Sequence, residues 1–113
     1  MSITHVVLLG FKQGIAPEVV NKACESFLAL KDACVLPGTT TPYILSLKGG
    51  KDNSLEGLQR GVTHGFVVEF ASPVDREYYV NTDPAHQAFK AIIGELVEEL
   101  KTVVVDFSAG IFN

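Results

Sequence analysis

The stretch "SITHVVLLGF" (residues 2–11) decides how this chain folds. Its residues are β-branched or aliphatic and show no helical period, so it reads as a strand. One face carries Ile3, His5, Val7, Leu9 and Phe11, and the other carries Thr4, Val6, Leu8 and Gly10. Successive side chains of a strand point to opposite faces. Large apolar groups therefore stand on both sides, and a single layer of helices can cover only one.

Outward from this strand, "APEVVNKACESFLALKDAC" (16–34) reads as a helix, with Val20, Cys24, Phe27 and Leu30 or Lys31 near one stripe. Pro37-Gly38 turns the chain. "TTPYILSLKGG" (40–50) is a second strand, and the polar segment 51–61 an exposed loop. "VTHGFVVEF" (62–70) alternates as a third strand, with His64 on the face of Val62, Phe66, Val68 and Phe70. Ser72-Pro73 opens a short helix to residue 81. Residues 84–100 form the clearest amphipathic helix, with Phe89 on its apolar stripe, and 101–108 form a last strand.

The order β-α-β-β-α-β is that of the ferredoxin-like split βαβ unit. This predicts an α+β subunit: a four-stranded antiparallel sheet with helices on one face and the first and third strands at its centre. The helix-free face would then carry Val6, Leu8, Val67 and, in the last strand, Val104 backing Val103 and Val105, a large apolar patch for a lone protomer. Two readings stand here. A second copy covers the patch in an isologous homodimer, or the protomer stands alone with a moderately apolar face.

A length of 113 residues predicts one domain spanning 1–113. With a net charge of −4 and no basic stretch, the chain lacks the electrostatic footprint of a nucleic-acid binder. The first residues lack a basic signal-peptide region, and no apolar run is long enough for a membrane span. A cytoplasmic protein with reduced Cys24 and Cys34 is the expectation. No Cys/His spacing suggests a zinc site, and no metal or cofactor is expected.

"NTDPAHQAF" (81–89) opens the amphipathic helix. Asp83 suits the N-cap, Pro84 the first helical position, and His86 the third. The positive end of the helix dipole pushes an imidazole there towards its neutral, proton-accepting form. His5 and His64 each lie on an apolar strand face. Each is either a hydrogen-bonded core residue or, with His86, part of a pocket between sheet and helices.

"ITHVVLLGFK" (3–12), "GVTHGFVVEF" (61–70), "YYVNTDPAHQAF" (78–89) and "VVVDFS" (103–108) together resemble the stress-responsive A/B barrel (Dabb) family over residues 3–108. The resemblance implies a ferredoxin-like subunit and a dimeric α+β barrel. Many members have no assigned reaction, whereas plant polyketide cyclases of the family close a linear polyketide by a metal-free aldol step. By that likeness His86 would be the acid/base, Tyr79 the catalytic tyrosine with Tyr78 as neighbouring alternative, and His5 and His64 pocket residues beside Phe89. A polyketide-like or other small carbonyl ligand follows if the chain is an enzyme; a stress or binding protein without turnover is the other reading.

Overall fold

The structure is a computed structural model that describes all 113 residues. In chain order it contains β1 (Ile3–Leu9), α1 (Pro17–Ala33), β2 (Ile44–Lys51), β3 (His64–Phe70), α2 (Pro73–Asn81), α3 (Pro84–Ile93), a 3-10 turn (Glu99–Lys101) and β4 (Val103–Phe107). The sheet order is β2-β3-β1-β4, with every neighbouring pair antiparallel. The ferredoxin-like α+β layout, with β1 and β3 central, is therefore as the sequence predicts.

Burial along β1 alternates without a break: Ile3, His5, Val7 and Leu9 are buried, while Thr4, Val6 and Leu8 are half-exposed. The buried set joins Phe66, Val68 and Phe70 of β3 and Ala23, Phe27 and Leu30 of α1 in one core. Val20 and Cys24, which the sequence puts on the α1 stripe, pack at its margin. Phe66 lies across β2 opposite Gly49, where a Cβ would fall 2.1 Å from its ring. Glycine at that position is thus a packing requirement.

The register sets Val6 beside Val67 and Val105, Leu8 beside Val103, and Thr4 beside Phe107. The last strand faces the other way from expectation: Val104, paired with the buried Val7, turns to the helix side, while on the helix-free face Val103, Val105 and Phe107 remain 43%, 54% and 47% exposed in the protomer. This is the second apolar side that the first strand announces.

The last helix departs from expectation. The sequence pattern carries it to residue 100, but α3 ends at Ile93, with Gly94 as its C-cap. The apolar spacing beyond that point serves another purpose. Val97 forms an antiparallel bridge to Phe11, and Glu98 N–H donates to the Gly10 carbonyl at 2.8 Å. Leu100 is left almost wholly in solvent. No helix is long and apolar enough to cross a membrane, and Cys24 and Cys34 are free thiols.

Candidate functional site

Between the helices and the β1–β4 side of the sheet lies a cavity of about 710 Å³. Its walls are mainly apolar, with Val7, Leu9, Phe27, Phe89, Ile93 and Val97 among them. Val104 of β4 lines it yet is 53% exposed, so the hollow opens past that edge strand.

Four of the residues singled out from sequence line it: His5, Tyr79, His86 and Phe89. His86 arrives there through local helix rules. Asp83 caps α3, its Oδ1 accepting from Ala85 N–H at 2.9 Å, and Pro84 occupies the first helical position. His86 then lies in the first turn, and its Nδ1 is 2.7 Å from the backbone carbonyl oxygen of Tyr79. A carbonyl only accepts, so Nδ1 carries the hydrogen and Nε2 keeps its lone pair. Burial, with Lys90 and His5 adding to it, pushes His86 down to about 4, against the opposing pull of the Tyr79 carbonyl and Asp83. At neutral pH the ring is therefore an uncharged base.

Tyr79 stacks on that imidazole, with ring centroids 3.7 Å apart and planes within 13°. It is fully buried, and its hydroxyl has no hydrogen-bond partner. Burial, then the nearby Cys34 and Asp83, holds its pKa well above the usual phenol range. The result is a protonated donor with nothing to donate to. An unsatisfied buried hydroxyl is costly, and one in a native fold calls for an explanation, a catalytic role being one of the few available.

His5 has a different anchor. Its Nδ1–H donates to Asp106 Oδ1 at 2.6 Å, and Asp106 Oδ2 accepts from Arg76 at 2.9 Å. The Arg76–Asp106–His5 chain fixes the imidazole so that Nε2 is again the unengaged nitrogen. Sequence reading passed over Arg76, Asp106 and Lys90, all of which line the cavity. Asp106 carried a signal: by alternation it shares the inner face of β4 with Val104, where a carboxylate needs a partner.

Two other residues grouped with the site lie elsewhere. His64 is on the helix-covered face, but at the opposite end of the sheet, paired with Leu9. Its ring meets Phe11 edge-on at 5.0 Å and its Nδ1 is 2.9 Å from Thr63 Oγ1. Burial, then Lys51, pushes its pKa down. Tyr78 points away from the cavity and packs edge-on against Tyr43 at 5.7 Å. Consecutive residues of a helix are about 100° apart, so Tyr78 and Tyr79 do not share a wall.

A sheet of order β2-β3-β1-β4, helices on one side and a cavity between the layers define a ferredoxin-like domain with a hollow open at its β4 edge. The profile of the stress-responsive A/B barrel domain family matches residues 3–109, and the chain belongs to that family. It is 31% identical over 106 residues to the stress-response A/B barrel domain-containing protein HS1 of Arabidopsis thaliana, covering 93% of this chain and 87% of that protein. Among solved structures, a hydroxynitrile lyase from Passiflora edulis superposes with a TM-score of 0.82 at 18% identity, over 99% of this chain and 97% of the lyase. A dimeric ferredoxin-like protein of unknown function from Jannaschia sp. gives 0.76 at 19% identity, over 96% and 100%. At these identities the two structures establish likeness of fold.

Proposed function

We propose that this protein is a homodimeric stress-response barrel whose protomers each bind a small, largely apolar carbonyl compound in the helix-to-sheet cavity and move a proton on it. His86 Nε2 takes the proton, and the Tyr79 hydroxyl donates to the oxygen that gains charge. Proton abstraction beside a carbonyl needs this pairing: a neutral base and a donor aimed at the developing oxyanion. The observation that carries the reading is the neutral His86 imidazole on the cavity wall, stacked on the ring of Tyr79, whose buried hydroxyl has no partner. An aldol closure of a polyketide-like chain is one such reaction. Proton transfer on a cyanohydrin, the substrate class in the name of the Passiflora enzyme, is a chemical relative of it.

Incubating the protein with β-dicarbonyl and longer polyketide-like compounds tests the idea, with His86→Ala and Tyr79→Phe alongside. Both variants are expected to lose about a hundredfold or more in turnover, the usual contribution of a positioned acid or base. Equal rates in the three proteins would remove the catalytic role. A second reading, binding without turnover, draws on the apolar walls and on the name of the Arabidopsis relative. It predicts saturable uptake of an apolar dye and no conversion of any carbonyl compound tested.

The homodimer is supported by the aligned Val6, Val67, Val103, Val105 and Phe107 on the helix-free face. It also has a precedent in the dimeric neighbour from Jannaschia. Light scattering should give twice the mass of the 12.2 kDa chain, and Val105→Lys should halve it. A monomeric mass for the unaltered protein would sink the assignment.

A further inference from the structure

A buried polar pair outside the cavity walls has no part in the chemistry above. Tyr43, just before β2, donates its hydroxyl to Asp83 Oδ2 at 2.6 Å. Both residues are buried, Asp83 almost completely. Capping α3 uses only the other oxygen, Oδ1, and a serine or threonine would cap as well without burying a charge. The second oxygen and the tyrosine therefore need a reason of their own.

Their place in the fold supplies one. The turn between α2 and α3 is sewn by bonds onto the last carbonyls of α2. Thr82 and Asp83 backbone N–H groups donate to the Tyr78 carbonyl, each at 2.9 Å. His86 donates to the Tyr79 carbonyl at 2.7 Å, and Gln87 to that of Val80 at 3.1 Å. Asp83 sits in the middle of this seam, four residues after Tyr79 and three before His86. The Tyr43 hydroxyl fastens it to the chain just before β2, with the Cys34 thiol close beside both groups, while the Tyr43 ring is braced by Phe70 and Tyr78.

We propose that Tyr43 is a positioning residue: by holding the second oxygen of Asp83 it fixes the α2–α3 corner, so that His86 keeps its Nδ1–H on the Tyr79 carbonyl and its Nε2 free. The functional meaning rests on the reading of His86 as the working base. The test needs no substrate, so an inert protein and a misplaced Tyr43 role give different results. Nitrogen-resolved imidazole spectra of the full chain report the His86 tautomer, and solvent exchange reports how firmly its Nδ1–H is held. The unaltered protein should show one tautomer, Nδ1–H, in slow exchange.

Tyr43→Phe keeps the ring but removes the tie. It should bring in the Nε2–H tautomer and speed exchange by about tenfold or more, the scale of losing one hydrogen bond. Asp83→Ser keeps the cap but has no second oxygen, and should do the same. Asp83→Asn can still meet Tyr43 through its amide and should restore the original state. Ile44→Val, a core change beside Tyr43, lowers stability but should leave His86 untouched; a shift there equal to that in Tyr43→Phe would reduce Tyr43 to general packing. If Tyr43→Phe does not fold, Asp83→Ser decides. A folded Tyr43→Phe or Asp83→Ser protein with unaltered tautomer and exchange overturns the proposal.

Discussion

The helix-covered face of the sheet has two ends, each with a histidine, and they have come out differently. At the His64 end the histidine is packed in: its ring meets Phe11 edge-on at 5.0 Å, its Nδ1 lies 2.9 Å from Thr63 Oγ1, and it forms no part of the cavity wall. At the His5 end the space is left open, and its polar groups are held by specific partners: His5 by Asp106 and His86 by the Tyr79 carbonyl. The same residue type on the same face is thus a filler in one place and an oriented group in the other. What separates them is whether the neighbours occupy the volume or merely fix the ring.

The comparison can be broken most severely at the packed end. Phe66→Ala removes a fully buried ring and should cost about 3–5 kcal/mol, read as a lowered denaturation midpoint. Val104→Ala, at the rim of the open end, should cost under about 1 kcal/mol. Similar costs would mean that the cavity is not an open space in solution.

Acid sharpens the contrast next. His86 titrates near 4 in the folded protein against 6.5 as a free group. Between those values the unfolded chain binds a proton that the native chain refuses, so stability must fall as pH drops from 6.5 towards 4. The loss should reach roughly 3 kcal/mol at most. His64, shifted in the same direction, adds to it. Denaturation midpoints of the protein and of His86→Gln across this range check the assignment, since the variant should lose most of the slope.

Asp106→Asn should follow, at about 1–2 kcal/mol, because it weakens the bonds to both His5 and Arg76. It should also weaken uptake of an apolar dye that reports on the cavity. The smallest effect belongs to His64→Ala: under about 1 kcal/mol, with dye binding unchanged. If His64→Ala altered dye binding as much as Asp106→Asn, the two ends would be one site after all.

Much of this was legible in the chain because strands and caps are local devices. Period-two alternation put His5 and His64 on the same side of the sheet, and Asp83-Pro84 put His86 in the first turn of a helix. Alternation does not say how far along a strand a cavity extends, however, and the face that His64 shares with His5 continues past the cavity wall. The end of α3 was hidden because Leu96 and Val97 keep a helical spacing while Val97 bonds to Phe11 instead. The Asp106 partnership was invisible for a related reason. It joins residues 101 positions apart, and only the register of β1 against β4 brings them together.

That register also has a consequence for how the molecule comes into being. β1 is the first strand made, yet one of its two neighbours, β4, is the last. One side of β1 therefore stays unpaired until the other three strands of the domain have been made. Pairings of such long sequence separation form slowly, and half-built sheets are prone to stick to one another. Of the walls of the hollow, the one that holds Asp106 is the last of this domain to be delivered, so the cavity is complete only once β4 has paired with β1.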